Sequence, residues 1–460
     1  MADTIVALAT PTGRSGIGVI RLSGPNSLSI TGKLVGDEAF ELKPRFAHLT
    51  QLYNPETSDV IDEAIITYFK APHSFTGEDV VEISCHGSPV LLRQVIDICL
   101  ALDARMADPG EFTLRALANS RINLAEAEAI RDLIDAQTTA SARQAIRQMQ
   151  GEFSKQLQPL KDDLLNVIVV LESALEFVED DLPDVQAENV KTRLAEIAAA
   201  IEKLAETFKA GRLIREGLRV ALVGRPNVGK SSLFNALLGT DRAIVTEIAG
   251  TTRDQIHERF TIGGIPISLI DTAGLRETAD TVESIGVERS KATMADADIV
   301  VVMLDSSEEI TDEDHEILDS VKNLNYIVAM NKIDKVPSYD IDRIIAGKHS
   351  QLGYLRPKIT PLSAKTGEGL DDLRNAIVRP FSPEDVTTSG FLVTDARHYD
   401  LLVKTKSEVE HSLDQLSNKM SEEIVLVGLH NALRYLGEIT GETTTEDMLT
   451  RIFSTFCIGK

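Results

Sequence analysis

The sequence predicts a multi-domain α/β protein with an N-terminal α+β domain, a discontinuous helical domain and an inserted α/β domain. Three observations support this fold class. Between residues 217 and 382, short apolar runs alternate with helical patterns, which is typical of a mostly parallel sheet covered by helices. These runs, each a predicted strand bounded by turn residues, are at residues 218–223, 267–271, 299–305, 326–330 and 359–362. On either side of that region, Leu, Ile and Val recur at helical spacing. The first 120 residues instead mix short strand-like runs with turns.

The composition is that of a globular protein. The chain has 460 residues, of which 43% are apolar and 26% are charged, so it suits about three domains. Acidic residues (71) outnumber basic residues (47), and the net charge of −24 excludes a broad basic surface for nucleic acid. A signal peptide, a membrane-spanning stretch of about 20 apolar residues and a cysteine framework are not expected. We therefore expect a soluble, cytoplasmic protein with no membrane association.

Residues 1–120 form the predicted N-terminal domain. Strands are predicted at residues 5–9, 18–22, 64–69 and 80–84, separated by clusters of Pro, Gly, Asn and Ser. A helix is predicted over residues 89–104, because its apolar residues share one stripe: Leu91, Leu92, Val95, Ile96 and Leu100.

Residues 121–216 and 383–460 form the predicted helical domain. Residues 124–180 contain almost no Gly or Pro, and a break at residues 180–184 separates this run from a second helix that ends near residue 211. Further helices are predicted at residues 399–416 and 423–436. Long amphipathic helices bury their apolar stripes against other helices. We therefore expect the two parts to pack together, with residues 217–382 as an insertion.

A phosphate-binding loop follows the first predicted strand of the insertion, residues 218–223. Residues 224–231 read GRPNVGKS and fit the pattern GxxxxGK[ST]. Its glycines let successive N–H groups point at phosphate oxygens, while Lys230 reaches the β- and γ-phosphates and Ser231 offers its hydroxyl to Mg²⁺. A chance match in a chain of this length is on the order of one percent. The sequence therefore predicts a nucleotide site.

Guanine is the predicted base. Asn331, Lys332, Ile333 and Asp334 form an NKxD motif directly after the strand predicted at residues 326–330. The Asp334 carboxylate accepts hydrogen bonds from the N1–H and the 2-amino group of guanine, and adenine has no donors there. The motif therefore predicts GTP rather than ATP.

Two further loops complete a predicted GTPase. Asp271 ends a predicted strand beside the Mg²⁺, and the N–H of Gly274 faces the γ-phosphate. Thr252 is the predicted magnesium ligand of the first switch loop, although a Thr there could also cap a turn. Leu275 stands where Ras-type GTPases place the Gln that orients water. Catalysis therefore needs a cation, a partner's residue or an acid further along the chain, since Arg225 and Arg276 could simply be solvated.

Together with four other segments, these motifs resemble the MnmE (TrmE) family of tRNA-modification GTPases over nearly the whole chain. The segments are FTGED at residues 75–79, CHG at 85–87, PGEFTLRA at 109–116 and the C-terminal CIGK. The resemblance implies a folate-binding and dimerising N-terminal domain, a discontinuous helical domain and an inserted Ras-like G domain. It also implies a heterotetramer with the FAD-containing, NADH-using partner MnmG. That assembly adds an aminomethyl or carboxymethylaminomethyl group at C5 of uridine 34 in certain tRNAs, with a methylenetetrahydrofolate carbon and GTP hydrolysis.

The resemblance also implies residues for a potassium-dependent GTPase. The K⁺ ligands would be Asn227, Thr246, Ile248 and Thr251. The catalytic residues would be Glu283, which orients the attacking water, and Lys230. The alternative for Glu283 is a solvated acid at a helix start. In this family, a backbone N–H of the loop at residues 363–365 contacts guanine O6. The other positions that match the family's nucleotide contacts are Val228, Gly229, Ser232, Glu247, Ala249, Gly250, Thr272, Ala273, Ser363, Ala364 and Lys365.

Folate residues are carried over in the same way. Arg21, Glu82, Arg121 and Lys460 match positions that line the site for 5-formyl- or 5,10-methylene-tetrahydrofolate in this family. A carboxylate can pair with the pterin edge, and cations suit the glutamate tail. The alternatives are an ordinary edge-strand Arg for Arg21 and a surface acid for Glu82. Arg121 stands where the family usually has Lys, and Ser88 stands where it commonly has a second Gly.

Two other functions compete with this interpretation. A ribosome-assembly or regulatory GTPase of the Era/Der type would carry similar G loops. The chain has no second P-loop, and acidic residues outnumber basic ones in residues 383–460, which disfavours a basic RNA-binding tail. A dynamin-like membrane protein is disfavoured because no apolar or basic membrane element is present.

Overall fold

The fold is seen in a computed structural model, which describes residues 3–37, 39–176, 184–239, 257–271, 297–337, 340–351, 358–381, 390–443 and 446–459. The chain divides into two compact units. The first comprises Met1–Arg131, Gln148–Leu194 and Glu408–Lys460, and the second comprises Asp132–Arg147 and Ala195–Ser407. Each unit contains one six-stranded sheet, in agreement with the predicted multi-domain α/β class.

The sheet of the first unit is mainly antiparallel. Its strand order is β3-β4-β5-β2-β1-β6, and only β1 and β6 run parallel to each other. The strands are β1 (Thr4–Leu8), β2 (Ile17–Ser23), β3 (Ala47–Tyr53), β4 (Val60–Phe69), β5 (Val80–His86) and β6 (Ala104–Met106). Four of these strands agree with the predictions from the sequence, whereas β3 and β6 were not predicted.

Two helices contribute to the apolar core of this sheet, α1 (Ser27–Leu34) and α2 (Pro89–Ala101). Helix α2 ends three residues earlier than predicted, because Asp103 takes a left-handed conformation (φ 70°) that turns the chain into β6. Buried residues from both helices and the strands form one core, including Ile20, Ile66, Ile83 and Val95.

A buried ion network joins two of the motif segments in the first unit. Helix α3 (Glu111–Ala118) carries Arg115, whose side chain is only 1% exposed. Its guanidinium binds the carboxylates of Asp3 (2.9 Å), Glu78 (3.1 Å) and Glu111 (2.9 Å). Burying a cation is costly unless it is paired and hydrogen-bonded. These contacts therefore hold the segments 75–79 and 109–116 together.

The helical segments of the first unit pack through α6 (Glu152–Glu176) and α14 (Glu422–Thr440). The buried Lys161 of α6 donates to the hydroxyl of Thr440 (2.8 Å) and to Glu442 (2.8 Å). The helical run predicted over residues 124–180 is divided within its described part into α4 (Leu124–Ile134), α5 (Thr139–Met149) and α6. Gly151, at φ 75°, lies at the second division.

Four further helices lie in the chain segments that flank the second sheet. They are α7 (Asp184–Glu206), α8 (Phe208–Glu216), α13 (Ala396–Ser417) and α15 (Glu446–Phe453). Within the second unit, Arg215 of α8 binds Asp132 (2.7 Å) and Asp395 (2.6 Å). Burial alone would raise the pKa of Asp395, but His398 and Arg215 outweigh it and lower that pKa well below its usual value. This pairing anchors α8 immediately before the second sheet begins.

The sheet of the second unit has the order β12-β11-β10-β7-β9-β8. Its neighbouring strands are parallel except for the β8–β9 hairpin, which turns at Gly263 and Gly264. The strands are β7 (Leu218–Val223), β8 (His257–Ile262), β9 (Ile265–Asp271), β10 (Ile299–Asp305), β11 (Tyr326–Asn331) and β12 (Ile359–Pro361). The predicted bounds of β7 and β10 are confirmed to the residue, whereas β8 was not predicted.

Helices supply the remainder of this α/β unit. They are α9 (Lys230–Leu238), α10 (Asp312–Val321), α11 (Ile341–Gln351) and α12 (Leu370–Val378). Two separate apolar cores form, one containing Leu233 and Leu373 and the other containing Leu318 and Val321, as expected for a sheet covered on both faces. Of the helices that the structure describes, none combines the length and apolar character needed to cross a membrane.

Candidate nucleotide-binding site

The loop between β7 and α9 curls at the carboxyl edge of the second sheet. Gly224 (φ 155°), Asn227 (φ 64°) and Gly229 (φ 102°) all have positive φ values. A Cβ on Gly224 would lie 2.6 Å from the carbonyl oxygen of Met303, so only glycine fits there. Ligands of open α/β sheets bind at this edge.

The P-loop places positive charge and backbone donors in one place. The Lys230 ammonium donates to the carbonyl oxygens of Gly224 (2.6 Å) and Arg225 (2.9 Å), so it lies within the curl of the loop. Val228 is buried and anchors the loop in the core, while Ser231 and Ser232 are exposed in the first turn of α9. Backbone N–H groups at a helix N-terminus attract anions, as predicted for the phosphates.

Asn331 connects three loops of the site. Its side-chain amide donates to the carbonyl oxygen of Val228 (2.8 Å), and its side-chain oxygen accepts from the backbone N–H of Ala364 (2.9 Å). Lys332 follows at φ 66°, and a 3₁₀ turn (Ile333–Lys335) places Ile333 in the interior. The P-loop, the NKxD loop and the loop after β12 are therefore held together by one amide.

The Asp334 carboxylate is oriented by a hydrogen bond from a neighbouring side chain. Ser363, which is fully buried, donates its hydroxyl to one carboxylate oxygen of Asp334 at 2.6 Å. Ser363 itself is held by the backbone N–H of Thr366 (3.2 Å), and Asp334 is exposed. Lys365 is also exposed in this loop. The arrangement presents an oriented acceptor to a ligand beside the P-loop.

Asp271 ends β9 beside the P-loop strand, because its register partner is Leu222 of β7. The other predicted residues of the switch loops and the predicted water-orienting acid lie outside the described residues. They are Thr246, Glu247, Ile248, Ala249, Gly250, Thr251, Thr252, Thr272, Ala273, Gly274 and Glu283.

Arg225 is engaged in a structural contact. Its guanidinium binds Asp314 at the start of α10 (3.1 Å) and Glu308 (2.8 Å). Burial alone would lower the pKa of Arg225, but the two carboxylates outweigh it and raise that pKa. The positive charge of Arg225 is therefore already neutralised by two carboxylates. The other candidate arginine, Arg276, lies outside the described residues.

Asp305, at the end of β10, belongs to the site but was not predicted from the sequence. Its carboxylate binds the ammonium of Lys332 at 2.6 Å. The available signal was an acid that ends a fully apolar strand, IVVVMLD. Its partner could not be predicted without the parallel register that places Asp305 opposite Asn331.

Comparisons with known proteins identify the family. The model described as GTP-binding protein TrmE N-terminus matches residues 4–121, and that of the MnmE helical domain matches residues 124–457. Proteins named tRNA modification GTPase MnmE are 46% identical in Koribacter versatilis, 44% in Aquifex aeolicus and 42% in Alkaliphilus metalliredigens. Each match covers 100% of this chain and at least 99% of the relative. The chain belongs to the MnmE family.

This membership confirms the family resemblance seen in the sequence. Matches to solved structures are partial by comparison. The G domain of FeoB from T. maritima is 34% identical over 35% of this chain and 97% of that chain, with a TM-score of 0.27. Era in complex with MgGDPNP and a 16S ribosomal RNA fragment is 32% identical over 42% of this chain and 66% of that chain, with a TM-score of 0.30. The full-length MnmE matches favour the MnmE function over the Era/Der-type alternative.

Two of the four predicted folate residues meet in this MnmE-family chain. Arg21 and Glu82 are register partners on β2 and β5, and their side chains form an ion pair of 2.7 Å. The Arg21 guanidinium also donates to the carbonyl oxygen of Gly459 (3.3 Å), the neighbour of Lys460, which is outside the described residues. Arg21 further lies 5.7 Å from the ring centres of Phe75 and Phe112.

Arg121 occupies a different position in the first unit. It is exposed in the turn after α3, and its backbone N–H donates to the carbonyl oxygen of Ala116 (2.8 Å). A Cβ on Gly77 would lie 3.2 Å from the Arg121 side chain, so Arg121 packs against the segment 75–79. Among the described contacts, it makes no hydrogen bond or ion pair with Arg21 or Glu82.

Proposed function

We propose that this protein is a GTP hydrolase that acts in the modification of the wobble uridine of tRNA. The observation that carries the proposal is the Asp334–Ser363 pair beside a P-loop, with Asn331 joining the loops. Membership of the MnmE family supports the tRNA step, because the curated relatives are named tRNA modification GTPase.

The P-loop residues fit a magnesium nucleotide. The N-terminus of α9 and the Lys230 ammonium supply donors and positive charge for the β- and γ-phosphates. The exposed Ser231 hydroxyl and Thr252 would hold Mg²⁺, with Asp271 at the end of the neighbouring strand. Bound Mg²⁺ would neutralise charge on the phosphates during transfer of the γ-phosphoryl group to water.

We infer that hydrolysis depends on K⁺ and on contact between two G domains of a homodimer. Asn227, which is exposed in the P-loop, would hold K⁺ together with Thr246, Ile248 and Thr251, and Glu283 would orient the water. A cation beside the phosphates offsets developing charge as an arginine does. The engagement of Arg225 by two carboxylates supports this choice, because Arg225 is then a poor source of that charge.

We propose the finer chemistry on the family resemblance. With the FAD- and NADH-using MnmG in a heterotetramer, the protein would add an aminomethyl or carboxymethylaminomethyl group at C5 of uridine 34. The carbon would come from a folate bound by residues 1–120 through Arg21, Glu82, Arg121 and Lys460. A carboxylate–guanidinium pair beside two aromatic rings suits a planar, polar pterin. We propose that this activity takes place in the cytoplasm. We also propose three domains, with bounds at residues 1–120, at residues 121–216 together with 383–460, and at residues 217–382.

The rate of GTP hydrolysis in KCl and in NaCl at equal ionic strength tests the proposed mechanism. We expect the purified protein to turn over GTP at least about tenfold faster in KCl, since a cation that offsets transition-state charge contributes on that scale. A Lys230→Ala variant serves as the control for contaminating GTPases and should be inactive in both salts. Equal rates in the two salts would remove K⁺ from the mechanism, and absence of GTP turnover in both would refute the hydrolase itself.

A further inference from the structure

Asp305 is a buried carboxylate at the ligand-binding edge of the second sheet. It is the last residue of β10, and only 2% of its side chain is exposed. Acidic side chains are rarely buried to this extent without specific partners, since an unpaired buried charge is costly. The partners of Asp305 therefore indicate what this position does.

Both carboxylate oxygens of Asp305 are occupied. One oxygen accepts from the backbone N–H (2.9 Å) and the hydroxyl (2.7 Å) of Ser307, and the other accepts from the ammonium of Lys332 (2.6 Å). Burial alone would raise the pKa of Asp305, but the hydrogen bonds from Lys332 and Ser307 outweigh it and lower that pKa. The carboxylate therefore carries its charge at neutral pH.

Lys332 bridges Asp305 and the P-loop. Its ammonium also donates to the carbonyl oxygen of Asn227 at 2.7 Å. Both Lys332 (φ 66°) and Asn227 (φ 64°) hold left-handed backbone conformations, which are uncommon for residues with a side chain. The ion pair therefore ties together the two loop positions that most need support from their surroundings.

The segment that carries Asp305 is itself fixed by a buried cation. Lys348 of α11 donates its ammonium to the carbonyl oxygens of Asp305 (2.5 Å) and Glu308 (2.6 Å). Burial lowers the pKa of Lys348, against the pull of nearby acids. The backbone of residues 305–308 is thus held in place independently of Lys332, so Asp305 can act as a fixed support.

We propose that Asp305 is a positioning residue of the nucleotide site that acts through Lys332 to hold the base-recognition loop against the P-loop. This inference rests on the proposed binding of a guanine nucleotide. Because its two carboxylate oxygens are taken by Ser307 and Lys332, Asp305 would act on a bound nucleotide only through these neighbours. It fixes the positions of the Lys332 ammonium and the Asn227 carbonyl. The P-loop and the base-recognition loop are thereby held at the spacing that one guanine nucleotide needs.

An Asp305→Asn substitution separates this role from general stability. The amide oxygen can still accept both hydrogen bonds from Ser307, but the –NH₂ group then faces the Lys332 ammonium, donor against donor. The contact with Ser307 survives while the contact with Lys332 is lost. We expect the dissociation constant for GDP to rise about tenfold, because a charge-assisted hydrogen bond of this kind is among the stronger ones.

A double-mutant cycle tests whether Asp305 acts through Lys332. The dissociation constant for GDP is measured by titration calorimetry for the full-length protein and for Asp305→Asn, Lys332→Met and the double variant. We expect the double variant to bind GDP no more weakly than Lys332→Met alone. Asp298→Asn is the matched control, since Asp298 precedes the same strand at its opposite end and accepts from the backbone N–H of Arg219 (2.8 Å). The control should bind GDP as the unaltered protein does.

The outcomes are distinguishable. Additive losses in the double variant, or an unchanged affinity in Asp305→Asn, would overturn the positioning role while leaving guanine binding intact. Failure of the unaltered protein to bind GDP would overturn the proposed function and this inference with it. The cycle is repeated with Asp305→Ser, which removes the charge and whose hydroxyl oxygen can still accept a hydrogen bond, and the same coupling is expected. Thermal unfolding of each variant identifies any variant that does not fold. If Asp305→Asn does not fold, the cycle built on Asp305→Ser decides the result.

Discussion

In the proposed function, selection of the base depends on one exposed carboxylate, that of Asp334. Asp334 would be free to rotate on the surface, but the hydroxyl of the buried Ser363 holds one of its oxygens at 2.6 Å. An acceptor that is already oriented loses less entropy when it binds a ligand, so its hydrogen bonds contribute more to affinity. We therefore propose that base selectivity depends on the pair Asp334–Ser363 rather than on Asp334 alone.

Replacing this carboxylate by an amide should change the preferred base. Asp334→Asn places a donor where guanine has its 2-amino donor, whereas xanthine has an oxygen at that position. We expect GTP to bind at least about 100-fold more weakly and xanthosine triphosphate to bind more tightly, since a mismatched polar pair is strongly penalised. Competition binding with the two nucleotides measures both changes.

The control for this prediction is Asp371→Asn, in which the carboxylate is highly exposed and paired with Arg374 (2.9 Å) in the same unit. It should retain the preference for GTP. Unchanged GTP affinity in Asp334→Asn would show that the base is bound elsewhere.

At the residue scale, sequence alone identified what the motifs contain but not what supports them. Asp334 and Lys230 were predicted because their chemistry and spacing point to one ligand. Asp305 was not predicted, since its partner Lys332 is 27 residues away and is reached only through the pairing of β10 with β11. Contacts between side chains on neighbouring strands depend on the register in which the strands pair, and the pattern of apolar residues does not reveal that register.

At the element scale, the P-loop is a turn that glycine makes possible. Gly229 has φ 102°, and a Cβ there would lie 2.3 Å from the side-chain nitrogen of Asn331. That nitrogen is fixed by the carbonyl oxygen of Val228. A side chain at position 229 therefore pushes apart the loops that Asn331 joins.

A matched pair of glycine variants tests this feature. Gly229→Ala should lower the affinity for GDP by at least about tenfold, because it combines a left-handed backbone with a steric clash. Gly264→Ala, in the β8–β9 turn, has a similar conformation (φ 83°) with nothing within 4 Å of the added Cβ. We expect Gly264→Ala to cost only about 1–2 kcal/mol of stability and to bind GDP normally. Equal losses of affinity in the two variants would contradict the steric account.

The elements that sequence predicted well are the ones with both faces buried. Strand β10 buries all seven of its residues and β7 buries all but Arg219, and the bounds of both strands were predicted to the residue. Strand β3 (AHLTQLY) lies at a sheet edge and is largely exposed, so its pattern is weak. Strand β8 is likewise an edge strand, and its pairing depends on the Gly263–Gly264 turn rather than on an apolar run.

At the scale of the whole molecule, charge and family membership constrain the function together. A net charge of −24 does not favour binding tRNA over a broad surface, which agrees with the proposal that the protein works on tRNA with a partner. Full-length identity of 42–46% to proteins named tRNA modification GTPase extends over the entire chain and not only over the G loops. The whole chain is therefore expected to serve one reaction, in which the nucleotide site controls a modification step.

Mass spectrometry of wobble nucleosides tests this central claim most directly. Transfer RNA is digested from cells that lack this protein, from the same cells carrying the unaltered gene, and from cells carrying Lys230→Ala. We expect C5-aminomethyl-type uridines at position 34 to be absent without the protein, restored by the unaltered gene and not restored by the variant. An unchanged nucleoside profile in cells that lack the protein would contradict the account.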